Sequence, residues 1–150
     1  MKKRIYSMFA MLSLLFAVAV ASVQAGGVTK LTVNIPFDFQ IGDKTLPAGT
    51  YSVRQLAQNV VLIESADGKT RALAQTMGTV QAGEDEKAVQ ERLVFHQYGN
   101  QRFLAQVWMV RGSDGRALNR SNAERDAARG QKLARNDSQP QTVVIAAKAR

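Results

Sequence analysis

The chain has 150 residues, 45% of them apolar, with 20 Lys+Arg against 12 Asp+Glu, one His, three Pro and no Cys. That size and apolar content fit one core-bearing domain and exclude a disordered polymer. The missing Cys excludes disulfide scaffolds, thiolate metal sites, thiol nucleophiles and lipid attachment through an N-terminal cysteine, and a lone His excludes a His-rich metal cage.

Lys2, Lys3 and Arg4 precede an apolar run from Met8 to Val20, and Val23-Gln24-Ala25 offers small residues at its exit. This layout predicts a secretory signal peptide over residues 1–25, cleaved after Ala25. The rival reading, a membrane anchor, needs about 20 apolar residues to span the hydrocarbon core. Met8–Val23 is 16, so the small-residue exit decides for cleavage. Gly26–Arg150 then carries 17 basic against 12 acidic side chains. Residues 26–110 balance at eight of each, while residues 111–150 hold nine basic and four acidic. The positive charge belongs to the tail.

Leu31, Val33, Ile35, Phe37, Phe39 and Ile41 alternate with Thr32, Asn34, Pro36, Asp38 and Gln40. Period two over eleven residues predicts one long strand with a dry and a wet face. Pro36 gives no N–H to a ladder, which places that strand at an edge or at a bulge. A turn follows at Leu46-Pro47-Ala48-Gly49, then a strand over Tyr51–Leu56 with Tyr51, Val53 and Gln55 on one side. Val60-Val61-Leu62-Ile63 reads as a β-branched run either buried on both faces or central in a sheet. Asp67-Gly68 predicts a type I′ hairpin turn, and Lys69–Met77 returns with Thr70, Ala72, Ala74 and Thr76 on one face.

Gly78–Gln90 reads as a polar loop around Glu84-Asp85-Glu86. A second hairpin joins Arg92–Tyr98 to Gln101–Arg111 across Gly99-Asn100, with Phe103, Ala105, Val107 and Met109 on one face and Leu104, Gln106, Trp108 and Val110 on the other. Six or seven strands joined by turn-rich connections predict a mainly β domain, an antiparallel sandwich or barrel, over residues 26–112.

Residues 113–150 form a basic tail. Ser121-Asn122-Ala123-Glu124 fits a capping box opening a helix over about 122–135, thinly apolar and weakened by Gly130. The face carrying Trp108 is its expected dock. The run over 142–146 reads as a short strand that pairs with its own sheet, as one that adds to the edge of another copy or of a protein partner, or as a frayed end.

The run Val33-Asn34-Ile35-Pro36-Phe37-Asp38-Phe39, followed by Gly42-Asp43-Lys44-Thr45-Leu46-Pro47-Ala48-Gly49-Thr50-Tyr51, resembles the opening of a group of uncharacterised small secreted bacterial β-rich proteins. The resemblance extends more loosely through Gly115-Arg116-Ala117-Leu118 and the charged helix. It implies an exported β-rich domain and brings no activity, ligand or catalytic residue with it.

No residue set for catalysis, cofactor binding or metal ligation emerges. His96 sits on a strand, and none of Ser52, Ser65, Ser113, Ser121 or Ser138 lies in a nucleophile elbow. Glu84, Asp85 and Glu86 do not match the alternating register of a calcium loop, and the glycines make no phosphate cradle. The tail lacks the aromatic residues that stack bases, which argues against nucleic acid, and its cations suit an anionic envelope surface. The expectation is an exported, non-enzymatic β-domain, periplasmic or extracellular, with a structural or interaction role in the cell envelope or outside the cell. The alternative is a periplasmic carrier of a small, lipid-like apolar ligand, with Tyr51, Phe95, Phe103, Trp108 and Met109 lining its cavity.

Overall fold

The computed structural model describes residues 30–81, 90–109, 114–135 and 139–149. The expected signal segment and the acidic Glu84-Asp85-Glu86 loop lie outside these.

The first alternating run does not make one strand. It divides into β1 (Lys30–Ile35) and β2 (Phe39–Ile41), because Pro36 lacks the donor that would carry a ladder through it. The alternation survives the break: Leu31, Val33, Ile35, Phe39 and Ile41 are all buried, with Phe37 half-buried. What changes is the partner. β1 pairs antiparallel with β4 (Gly49–Ala57), whereas β2 pairs with β3 (Lys44–Leu46) and, in parallel, touches β8 (Gln101–Trp108). Pro36 is thus a corner where the chain changes neighbours while keeping its dry face inward.

The turn after β3 is tied at two points. Asp38 Oδ1 accepts the Ala48 N–H at 2.8 Å, and the Tyr51 hydroxyl donates to the Pro47 carbonyl at 2.6 Å. The Tyr51 ring meets Phe39 edge-on at 5.2 Å. The residues from Asp38 to Tyr51 therefore form one strand–turn–strand unit. Burial and neighbouring Asp67 and Asp38 push the Tyr51 pKa up, so the donor stays protonated. Tyr51→Phe is expected to lose about 1 kcal/mol, the net contribution of one such bond, as a shift of the urea midpoint with unchanged m-value.

β5 (Val60–Ser65) buries only one face: Val61 and Ile63 point inward, while Val60 and Leu62 are half-buried outside. Its turn differs from the type I′ expectation. The closing bond runs from Gly68 N–H to Ser65 C=O at 2.9 Å, so Ala66 and Asp67 are the central residues. Gly68 follows at φ +71°, a left-handed position that suits glycine. β6 (Arg71–Val80) returns with Ala72, Ala74 and Thr76 buried.

β7 (Arg92–Tyr98) and β8 pair across the two-residue Gly99-Asn100 turn. Their register corrects the expected facing of β8. Phe95 opposes Leu104 but Val94 opposes Gln106, leaving Ala105 as the extra residue of a β-bulge. A bulge reverses which side later residues face. Leu104, Val107 and Met109 consequently join the main core, and Phe103 and Trp108 do not.

β9 (Gly115–Leu118) lies between β8 and β6; α1 (Asn122–Arg135) follows it, then β10 (Gln141–Ala146) and β11 (Lys148–Ala149). The helix has the predicted bounds. β10 pairs with β7 of its own chain along all six residues, and β11 pairs with β1.

The molecule is mainly β, with one C-terminal helix among the described residues. Pairing follows one open mixed sheet, β10-β7-β8-β9-β6-β5-β4-β1-β11, with β2 and β3 joined to it at β8. Among the described residues eleven strands stand where six or seven were expected: Pro36 splits the first run, Lys44–Leu46 pairs as β3 ahead of the expected turn, and residues beyond 113 contribute β9, β10 and β11. The two ends of the path, β10 and β11, are separated in the chain by Ala147 alone, which is buried and donates its N–H to Glu91 C=O at 2.8 Å. One apolar cluster gathers residues from β1 through β8, and Phe95 at its centre meets Phe37 and Phe39 edge-on at 5.3 and 5.5 Å. Each such side chain contributes about 1.5–3 kcal/mol by leaving water.

Candidate functional site

Two places on this frame carry side chains that packing alone does not require. The first joins α1 to the sheet. Ser121 caps the helix by accepting the Glu124 N–H on Oγ at 3.1 Å. The expected reciprocal half of the capping box is not made, because the Glu124 carboxylate turns toward the sheet instead. Its Oε1 is approached by His96 Nδ1 at 2.9 Å, by the Tyr98 hydroxyl at 3.5 Å and by Arg120 Nε at 3.6 Å. Glu124 is 3% exposed, a carboxylate taken out of water and met by three donors. Burial foremost, with the Glu124 charge adding and Arg120 opposing, raises the Tyr98 pKa and keeps it a donor.

His96 has thus gained the orienting carboxylate that sequence spacing could not supply. A nucleophile within its reach is not among the contacts described: Ser121 faces the helix N-terminus, and Ser52 and Ser65 lie on β4 and β5. Ser113 and Ser138 lie outside the described residues, and among those described no group of three or more His, Asp or Glu gathers as a metal site. The Glu124 contacts tie α1 to β7.

The helix docks on the expected face of the sheet, the one that carries Trp108, but not over the ring itself. It meets the outer face of β7–β8 at the His96–Tyr98 end, where Ala127, Gly130 and Gln131 border Tyr98 and Gln101. Trp108 is covered by other means. Val94 and Val80 pack on it, the Arg92 guanidinium stacks at 4.6 Å, and Gly115 of β9 lies directly beneath its ring. Tyr51, Phe95, Phe103, Trp108 and Met109, proposed from sequence as a cavity lining, are 0–6% exposed and divided between core and outer face.

The second place is the outer face of β4–β5–β6. Leu56 is 54% and Leu73 65% exposed, and Leu73 stands directly opposite half-buried Leu62. Met77, 76% exposed, follows on the same strand beyond Gln75. Leu56 and Met77 both sit where the ladder register shifts, each an extra residue without a partner in that ladder. Leu56, Leu62 and Leu73, with Ile41 and the β2–β3 turn, bound an open groove of about 730 Å³.

Lys44 and Arg71 border the same groove. Lys44 Nζ donates to the Arg71 carbonyl at 2.6 Å. Arg71 and Arg54 share Glu64, at 2.9 and 3.6 Å. This face was legible in part. Once Ala72, Ala74 and Thr76 are assigned inward, Leu73 must point out, and a leucine there is a signal. Leu62 was hidden by reading its β-branched neighbours as buried on both sides.

Comparison of the chain with protein-family models, with curated proteins and with solved structures returns no match.

Proposed function

We propose that this is an exported, non-enzymatic β-domain that works by contact, in the cell envelope or outside the cell. The observation that carries the reading is the uncovered apolar face of β4–β5–β6. Exposed leucines grouped across neighbouring strands cost solubility and mark interaction surfaces, and here two ladder irregularities lie beside them. The basic N-terminus, apolar run and small-residue exit of residues 1–25 support export to the periplasm or beyond.

We read the sheet as curling into a barrel-like body. The ends of its pairing path are one buried residue apart, and a single apolar cluster draws on strands from both halves. In such a body the interior is filled by its own side chains and contact falls to the outer surface. α1 adds an orienting charge, since Arg125, Arg129 and Lys132 are exposed with Leu133 at 89%. An anionic envelope surface is the complement of that face. Strand addition through Gln141–Ala146 would require breaking its six-residue pairing with β7. The outer face offers contact without that cost.

A photo-crosslinking residue at Met77, in the full-length chain expressed in its native cells, tests the reading. Discrete adducts with envelope components are expected from position 77 and not from Asn100 in the β7–β8 turn. Identical patterns from both positions, or protein recovered only from the cytosol, would overturn it. The alternative of a lipid-like ligand draws its support from the groove beside that face.

A further inference from the structure

We infer that the groove between the β2–β3 turn and the outer face of β4–β5–β6 is a binding site for a long-chain fatty carboxylate. The inference rests on the alternative reading, a lipid-like ligand, and names the chemical class of that ligand. The volume, about 730 Å³, falls within the roughly 300–1,000 Å³ typical of small-molecule sites. Its walls are aliphatic: Leu56, Leu62, Leu73 and Ile41 give a slot for a hydrocarbon chain, with no aromatic ring among the described lining residues to stack a planar ligand.

One border of the slot is cationic. The Lys44 ammonium is anchored on a neutral acceptor, the Arg71 carbonyl, and among the described residues no carboxylate pairs with it. Two of its three donors remain for a ligand. Arg71 spends part of its fork on Glu64, whose charge Arg54 also answers. Asp43 lies in the turn beside Lys44 and faces the same opening. Its single charge is outweighed by Lys44 and Arg71 together, so an anionic head is favoured over a cationic one. Apolar length beside a localised positive border matches an acyl chain ending in a carboxylate.

The groove opens outward, so the ligand is held along one side. Fully burying a methylene changes affinity about fourfold, and partial cover here should give about twofold per methylene.

The test is titration of the isotope-labelled chain, without residues 1–25, with dodecanoate below its micelle concentration. Saturable shifts are expected at 41–44, 56–62 and 71–73, with octanoate at least tenfold weaker. Dodecyltrimethylammonium, with the same tail and the opposite head, should bind at least fivefold more weakly. Leu73→Asp, at an exposed position that leaves the core intact, should abolish binding. Lys44→Gln should weaken dodecanoate about fivefold and tighten the ammonium ligand, whose head group no longer meets a like charge there. Equal binding of the two head groups, or shifts spread over other faces or rising without saturation, would overturn the site. Adducts at Met77 that persist in Lys44→Gln cells would still uphold the contact reading, so the two failures are separable.

Discussion

Gly115→Ala is expected to destabilise the protein by about 1–3 kcal/mol, the range for overpacking a closed site. A Cβ at residue 115 would stand 2.7 Å from Trp108 Cδ2 and 2.8 Å from Cζ2, and closer still to Cε2. Flexible neighbours yield to such a contact, but this ring is held on several sides. Trp108 is 2% exposed, its Nε1 donates to Gln106 Oε1 at 3.0 Å, and Arg92 stacks on its face. Relief requires β9 to separate from β8, which loosens the ladder that β9 also shares with β6. Gly78→Ala, on the neighbouring strand with nothing within 4 Å of the added carbon, should fall within about 0.5 kcal/mol of the parent. Equilibrium denaturation followed by circular dichroism, a signal that survives replacement of the single tryptophan, measures both. Adding Trp108→Phe should reduce the Gly115→Ala cost, giving a non-zero coupling in a double-mutant cycle. Equal midpoints for the two glycine variants would show that the ring does not depend on residue 115.

Gly115 also marks where legibility in the sequence ends. Alternation alone located the inward faces of β1, β2, β4 and β6, because a half-buried strand writes its environment at period two. It failed at Ala105. A bulge adds a residue without any local signature, and every side chain beyond it changes sides. The cover of Trp108 includes Gly115, which lies in the segment that the sequence assigns to the basic tail. Pro36 was seen to be unable to donate, but what the chain does about it, exchanging β4 for β3 and β8 as neighbours, depends on partners distant in sequence.

The candidate sites divide in the same way. The Asp38–Tyr51 unit is local, and the motif that carries it is visible as a strand and a turn. The apolar groove is half local: outward leucines follow from alternation, but their gathering on three strands follows from register. The Glu124 cluster is wholly tertiary. Ser121 and Glu124 have the spacing of a capping box, and the sequence gives no reason for the carboxylate to leave that role. The reason lies 28 positions earlier, at His96.

Glu124→Ala is expected to release α1 from the sheet at a cost of about 1.5–3 kcal/mol, the range for a hydrogen bond to a charged group. Two donors from β7 and one from the connection before α1 converge on one oxygen of Glu124, and little else holds the helix. Its inward residues beyond the first turn are small, Leu133 is 89% exposed, and Gly130 weakens the interior. A helix of 14 residues is marginal in water without docking. Losing the carboxylate should thus remove hydrogen-exchange protection across Asn122–Arg135, while amides of β4–β5–β6 keep theirs. The Ser121 cap acts on the backbone and survives in Glu124→Ala, so fraying at the N-terminus alone cannot account for a loss that reaches Lys132. Glu124→Gln tests charge apart from shape: it keeps an acceptor for His96 but not the ion pair with Arg120, and should lose protection partway. Unchanged protection of α1 in Glu124→Ala would mean that its small apolar residues suffice to hold it, and that the buried carboxylate is not what joins helix to sheet.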